Sequence, residues 1–349
     1  MTSKSWIFKP FLSVILTSLL VTVGLNFLFA KQVFVNMLRK GFNRPSFVQN
    51  ATHLVNSNSI LSNTLNNANG LEAKSPTARP NQCTSCFPQS SYIFSNVDVC
   101  STEHPRSSNV KLLMLIFTTH TNTMQRNVLR KTWTSIAKNN TSEVRYVFLF
   151  GKHDDPNWND KIVEEAKQYG DIIIKDFKDT YRNLTLKTIS GFQWAVGFCP
   201  NARYIMKTDE DMWVNTPKLL QDIDSWNISK EVIGHCYSTG APHRDKKSKW
   251  YASPLEYPEK QYPGFCSGTG YVTTMSVAQA IVGVSPHIPY FYLEDVYVAI
   301  CIRKLGYQLR NVKGFDNNKV PFNPCEYQRI ITSHGVAISE LKAAWSANC

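Results

Sequence analysis

The sequence predicts an α/β domain, and three observations carry that reading. From Val110 onward, short apolar runs alternate with segments of helical spacing. An acidic triplet, Asp209-Glu210-Asp211, stands close behind one of those apolar runs. Neither G-x-G-x-x-G nor a Walker A sequence accompanies the alternation, so dinucleotide and P-loop chemistry find no support.

The elements follow in order. Residues 112–118, LLMLIFT, read as a buried strand, and residues 125–137 carry Val128, Leu129, Trp133 and Ile136 at helical spacing. Residues 144–150 form a second strand closed by Gly151, and residues 158–169 a second helix. A short strand at 171–175 precedes a helix at 184–198, and a fourth strand at 203–206 delivers the acids. Strands alternating with helices imply a parallel sheet covered on both faces. Ligands of such sheets bind beyond the carboxyl ends of the strands, which is where Asp209 and Asp211 fall. Further on, residues 262–271, YPGFCSGTGY, read as a Gly- and aromatic-rich loop: either a turn-rich connector or a segment that lets backbone approach a ligand. Residues 294–305 have helical spacing, with Gly306 just past the end.

The chain before this domain has a different character. Residues 11–30, FLSVILTSLLVTVGLNFLFA, hold no charge and are long enough to cross a bilayer; Leu28-Phe29-Ala30 makes a poor cleavage site for the rival signal peptide. Lysines on both sides leave the charge rule silent about orientation. N-x-S/T sequons at Asn50, Asn139, Asn140, Asn183 and Asn227 all follow the span, and nine Cys suit an oxidising compartment. The expected organisation is a cytosolic tail (1–10), a signal-anchor (11–30), a stem (31–109) whose Asn- and Ser-rich part shows no period, and a lumenal domain (110–349). An odd Cys count leaves at least one thiol free or paired between chains.

Several groups have chemical potential. In an extended backbone Asp209 and Asp211 share one face while Glu210 takes the other, and two carboxylates there suit a divalent cation completed by phosphate oxygens. The bland alternative is a solvated acidic turn. Arg126 and Arg130, four apart on one helix, could grip phosphate or simply form a basic face. Glu294 and Asp295 complement a helix macrodipole or supply a general base. His334 is a structural imidazole or a metal ligand. The formal charge of +12 is scattered, with no zinc-finger spacing and no RNA-binding aromatic signature; it suits an anionic nucleotide as well as mere solubility.

Five motifs occur in order: RNVLRKTW (126–133), DFKDTYRNLTLKT (176–188), KTDEDMWVN (207–215), KWYASPLEYPEKQYPGFCSGTGYV (249–272) and EDVYVAICIRKLGY (294–307). Together they resemble the β1,3-galactosyltransferase-like family, glycosyltransferase family 31, over residues 110–345. The resemblance implies a Rossmann-like GT-A fold and an inverting transfer of galactose from UDP-galactose, in β1,3 linkage, to a glycan on glycoprotein or glycolipid. It implies Mn²⁺, held by Asp209, Asp211 and His334, with Asp295 as the base that deprotonates the acceptor hydroxyl. It places Arg126, Arg130, Lys187, Lys207 and Asp209 near the nucleotide sugar. It also implies a type II Golgi membrane enzyme, with no role in nucleic-acid binding. Glu210 stands where Asp is commoner in the family, and Trp213 where Phe is usual. Two alternatives stay open at this point: transfer of N-acetylglucosamine from UDP-GlcNAc, and a catalytically silent lumenal glycan-binding protein.

Overall fold

The computed structural model describes residues 91–101 and 109–349. The expected span at 11–30, Asn50, Cys83 and Cys86 lie outside the described residues. Among the described residues no helix is long and apolar enough to cross a membrane.

The first half of the domain builds the parallel sheet that alternation demands. β1 (Tyr92–Ser95) leads to β2 (Leu112–Phe117), α1 (Thr123–Lys131), β3 (Val144–Lys152), α2 (Pro156–Tyr169), β4 (Ile172–Lys178), α3 (Leu184–Phe198) and β5 (Tyr204–Asp209). β2 pairs in parallel with β3 on one side and with β5 on the other, and β3 pairs in parallel with β4. Successive side chains of β2 enter opposite cores. Leu113, Leu115 and Phe117 pack with Ile189 and Phe192 of α3, while Leu112, Met114 and Ile116 pack with Leu129 of α1 and Ile162 of α2. A strand buried on both faces reads as a continuous apolar run, which is how residues 112–117 are written.

The helix expected at 125–137 stops earlier. Thr132 leaves helical dihedrals, its hydroxyl donates back to the Val128 carbonyl, and Thr134 donates to Leu129. Trp133 then turns inward, its indole N–H donating to the Met212 carbonyl at 3.0 Å. The two threonines satisfy orphan carbonyls that a longer helix would have paired, so periodicity overran the true end. Stop signals worked better elsewhere: α2 ends on Gly170 at φ 67°, a left-handed cap that glycine adopts without a Cβ clash.

The second half is mixed. It contains β6 (Trp213–Val214), α4 (Thr216–Asp222), β7 (Glu231–Tyr237), β8 (Phe265–Thr274), α5 (Met275–Val284), α6 (Glu294–Leu305), β9 (Gln308–Asn311), α7 (Pro324–Tyr327), β10 (Thr332–Ser333) and α8 (Ile338–Ser346). The main sheet runs β1-β4-β3-β2-β5-β8-β7-β9, with β8 antiparallel to both β5 and β7, and β1 antiparallel to β4. The expectation of a loop over 262–271 is therefore corrected: most of it is the strand between β5 and β7. Its glycines serve close approach. A Cβ on Gly268 would collide with the Glu294 carboxylate, and one on Gly234 of β7 would meet the Gly270 carbonyl at 2.8 Å.

Disulfides join Cys100 to Cys199, Cys236 to Cys266 and Cys325 to Cys349, and Cys301 is a buried free thiol. The second crosslinks partners in register on β7 and β8.

Candidate active site

The sheet order reverses around β2, from which the chain steps to β3 and β4 on one side and later to β5 on the other. A crevice opens beyond the carboxyl ends of strands at such a switch point. The ends of β2 and β5 deliver Thr118–His120 and the acidic triplet to it.

The triplet divides as the pleat requires. Glu210 turns toward the β2 end, accepting from the Thr118 hydroxyl, the Thr119 amide at 3.2 Å and Asn122 at 2.6 Å. Asp209 binds the buried Lys207 ammonium at 2.8 Å. Asp211, largely exposed, meets His334 Nε2 at 3.2 Å. The short antiparallel pair of β6 and β10, with Ser333 opposite Trp213, brings His334 alongside, and the Val336 amide donates to the Asp211 carbonyl at 3.0 Å. Burial pushes Asp211 upward, but the hydrogen bond and charge of His334, helped by a backbone hydrogen bond and Lys207, together hold the carboxyl below its usual range; the His334 hydrogen bond in turn raises His334. Asp209 is raised, by burial first.

Asp295 opens α6 on the other side of β8. One carboxylate oxygen accepts from the Val296 amide at 2.8 Å and the other from the Gly268 amide at 3.4 Å, so the group is fixed at both oxygens. Burial raises its pKa against those bonds. Electrostatic contact extends from Asp295 to Tyr181, Tyr262 and Tyr292. Its neighbour Glu294 points inward, a role that its place at a helix start does not disclose. It pairs with Lys207 at 3.1 Å and accepts from Thr188 at 3.0 Å and Tyr271 at 3.2 Å; burial drives its pKa up to about 7. A lysine in the middle of a buried strand needs acidic company, and that was the available signal. Lys207 therefore bridges Asp209 and Glu294, and its ammonium also donates to the Gly268 carbonyl.

The arginines depart from expectation. Arg126 is fully buried, and each of its five N–H donors is directed at Glu165, Thr118, Thr119 or Thr123. Arg130 is held by Asp171, Glu165 and Asn127. Donors so committed cannot also grip a phosphate without breaking buried ion pairs; Arg126 ties α1 to α2 and the β2 end, and Arg130 ties it to α2 and the start of β4. Lys187 is likewise buried, bound to Asp179 at 2.8 Å and to the Thr118 carbonyl at 3.0 Å, at the ends of β2 and β4.

His120, also not anticipated, is buried at the β2 end with no hydrogen-bond partner for Nε2. Its ring lies 5.0 Å from Phe150 and 5.1 Å from His153. Burial lowers its pKa from 6.5 to about 4, outweighing Asp179. Between those values the unfolded chain binds a proton that the folded chain refuses, so stability present above 6.5 falls as pH drops and levels off below about 4. Thermal unfolding across that window is expected to show a shallower acid slope for His120→Gln than for the unsubstituted chain. Equal slopes would remove His120 from this role.

Of the sequons, Asn139 and Asn227 are exposed; Asn183 is half-buried with its amide donating to the Lys178 carbonyl at 2.8 Å, and the Asn140 amide is engaged at both ends with the Tyr146 backbone.

A family profile described as Galactosyltransferase matches residues 124–313. Beta-1,3-galactosyltransferase 1 of Mus musculus is 39% identical over 237 residues, covering 67% of this chain and 73% of that relative. Beta-1,3-galactosyltransferase 5 of Mus musculus is 38% identical over 240 residues, covering 68% and 78%. Beta-1,3-galactosyltransferase 2 of Homo sapiens is 36% identical over 297 residues, covering 82% and 67%.

Proposed function

The chain belongs to the galactosyltransferase family, and from that premise we propose that it transfers galactose from UDP-galactose, with inversion, to a hydroxyl of a glycan acceptor in β1,3 linkage. The observation that carries the mechanism is the placement of Asp295. Its carboxylate is half-buried, fixed by two backbone amides and raised in pKa by burial, which makes it a stronger base than an exposed aspartate. Proton removal by Asp295 frees the acceptor oxygen to attack the anomeric carbon from the side opposite the departing UDP, which gives the β linkage. Names of the relatives favour galactose over N-acetylglucosamine.

We assign the diphosphate end of the donor to the crevice between the β2 and β5 ends. Lys207, neutralised by Asp209 and Glu294, orients the Asp209 carboxylate rather than contributing free positive charge. Asp211 and His334 converge as an oxygen and a nitrogen donor, a pair that fits Mn²⁺. Among the described residues no cluster of three or more metal-binding side chains stands ready. Diphosphate oxygens and water would therefore supply the remaining ligands, as is usual for ions held against nucleotides. When bound, such an ion offsets charge on the leaving diphosphate. Asp211→Ala is expected to weaken Mn²⁺-dependent UDP binding about ten- to hundredfold by calorimetry, while binding in chelator stays as it was. Unchanged affinity with Mn²⁺ would sink the assignment.

We place the domain in the Golgi lumen, tethered through residues 11–30 as a type II protein. Three disulfides among the described residues support an oxidising compartment. Asn139 and Asn227 are the sequons best exposed for glycans.

A further inference from the structure

Around Asp295 three aromatic side chains have no role in the chemistry above. Tyr181 and Trp250 are each 43% exposed, large apolar faces that a folded chain ordinarily covers. They come from distant segments, the turn before α3 and the segment between β7 and β8, yet the Trp250 side chain lies close enough to the Tyr181 hydroxyl to influence it. Tyr292, two residues before Glu294, holds them together. Its ring meets Tyr181 edge-on at 6.4 Å, and its hydroxyl donates to the Lys249 and Tyr251 carbonyls on either side of Trp250. Lys249 at 4.7 Å and His243 at 5.2 Å steady the indole.

The third residue is Tyr262. It is buried against Tyr257 and Phe291, and its hydroxyl has no hydrogen-bond partner. Like Tyr181, it lies within electrostatic reach of Asp295. A buried hydroxyl left unpaired costs stability, and native folds tolerate one where a ligand completes it.

We propose that Tyr181, Trp250 and Tyr262 form the subsite for the acceptor's terminal sugar, a neutral hexopyranose. The ring's C–H face lies on Tyr181 and Trp250, and one of its hydroxyls pairs with the Tyr262 hydroxyl, leaving the reacting hydroxyl toward Asp295. Aromatic faces take the apolar side of a pyranose, and the cation beside them, Lys249, is directed at the Trp250 indole face. This assignment rests on the transferase reading, so its test separates the two. Trp250→Ala and Tyr181→Ala are expected to raise acceptor KM about tenfold or more while donor KM stays within about twofold. Tyr262→Phe, which removes only the hydroxyl, is expected to raise acceptor KM about tenfold as well. Trp250→Phe should restore most of the affinity, which mere loss of fold would not allow.

An unchanged acceptor KM in all three variants overturns the subsite, and so does a parallel rise in donor KM, which would assign the aromatics to the nucleotide sugar. Should the unsubstituted protein transfer nothing, binding of β-galactosides and N-acetylhexosaminides is read directly by saturation-transfer NMR. A saccharide signal present with the unsubstituted protein and abolished by Trp250→Ala would then uphold the subsite while the transferase reading fails. A saccharide signal from neither protein would overturn both.

Discussion

Asp295→Asn is expected to keep UDP-galactose binding and to lose transfer by about 10²–10⁴-fold, the range that general bases contribute. The substitution is nearly isosteric. An amide oxygen can still accept from the Val296 amide, the closer of the two backbone contacts at 2.8 Å. What disappears is the ability to receive a proton. The effect should therefore fall on kcat with the acceptor present, and donor affinity by calorimetry should stay level. A pH profile adds a second reading. Because burial raises the Asp295 pKa, activity should decline on the acid side as that carboxylate takes up a proton, at a pH above the ordinary aspartate range. Near-normal transfer by Asp295→Asn would remove this residue from the base role. Loss of donor binding along with transfer would instead place it in the nucleotide-sugar site.

Arg126→Met should cost about 3–5 kcal/mol of folding stability, the usual result of stripping one partner from a buried ion pair. Glu165 would keep only Arg130 to balance it, and the Thr119 carbonyl would lose a 2.7 Å donor. Methionine fills much of the volume without replacing any of these bonds. At about 2–4 °C per kcal/mol for a domain of this size, melting should fall by about 6–20 °C. Donor KM at a temperature where the variant is still folded should be unaffected. A variant that melts normally but binds UDP-sugar poorly would return Arg126 to the phosphate-gripping role that its helical spacing suggests.

These two residues also mark the limits of what the sequence discloses. Leu112–Phe117 could be recognised as a two-sided strand because burial on both faces leaves no polar position to hide the period. Asp209, Asp211 and Asp295 could be singled out because each stands where an apolar run ends or begins, and their order along the chain matches a familiar set of motifs. Arg126 could not be told from a phosphate ligand. Spacing reports which face of a helix two residues share, but not whether that face meets solvent or Glu165. β8 was hidden by its own glycines. In a strand they admit the Glu294 carboxylate and the neighbouring backbone, while in a linear reading they look like a turn. Glu294 and Lys207 stand far apart in sequence, and only the antiparallel insertion of β8 beside β5 brings the two ends together. His120 carried no pattern at all. Its isolation is a property of the pocket it occupies.

The bond from Cys325 to Cys349 encloses β10 and α8, and with them His334. The imidazole that faces Asp211 thus sits on a covalent ring, whereas Asp211 itself sits on the open chain. Maturation of this corner is thereby coupled to redox history. A chain that has met an oxidant presents His334 from a restricted set of backbone paths, and a reduced chain must find the same position by packing alone.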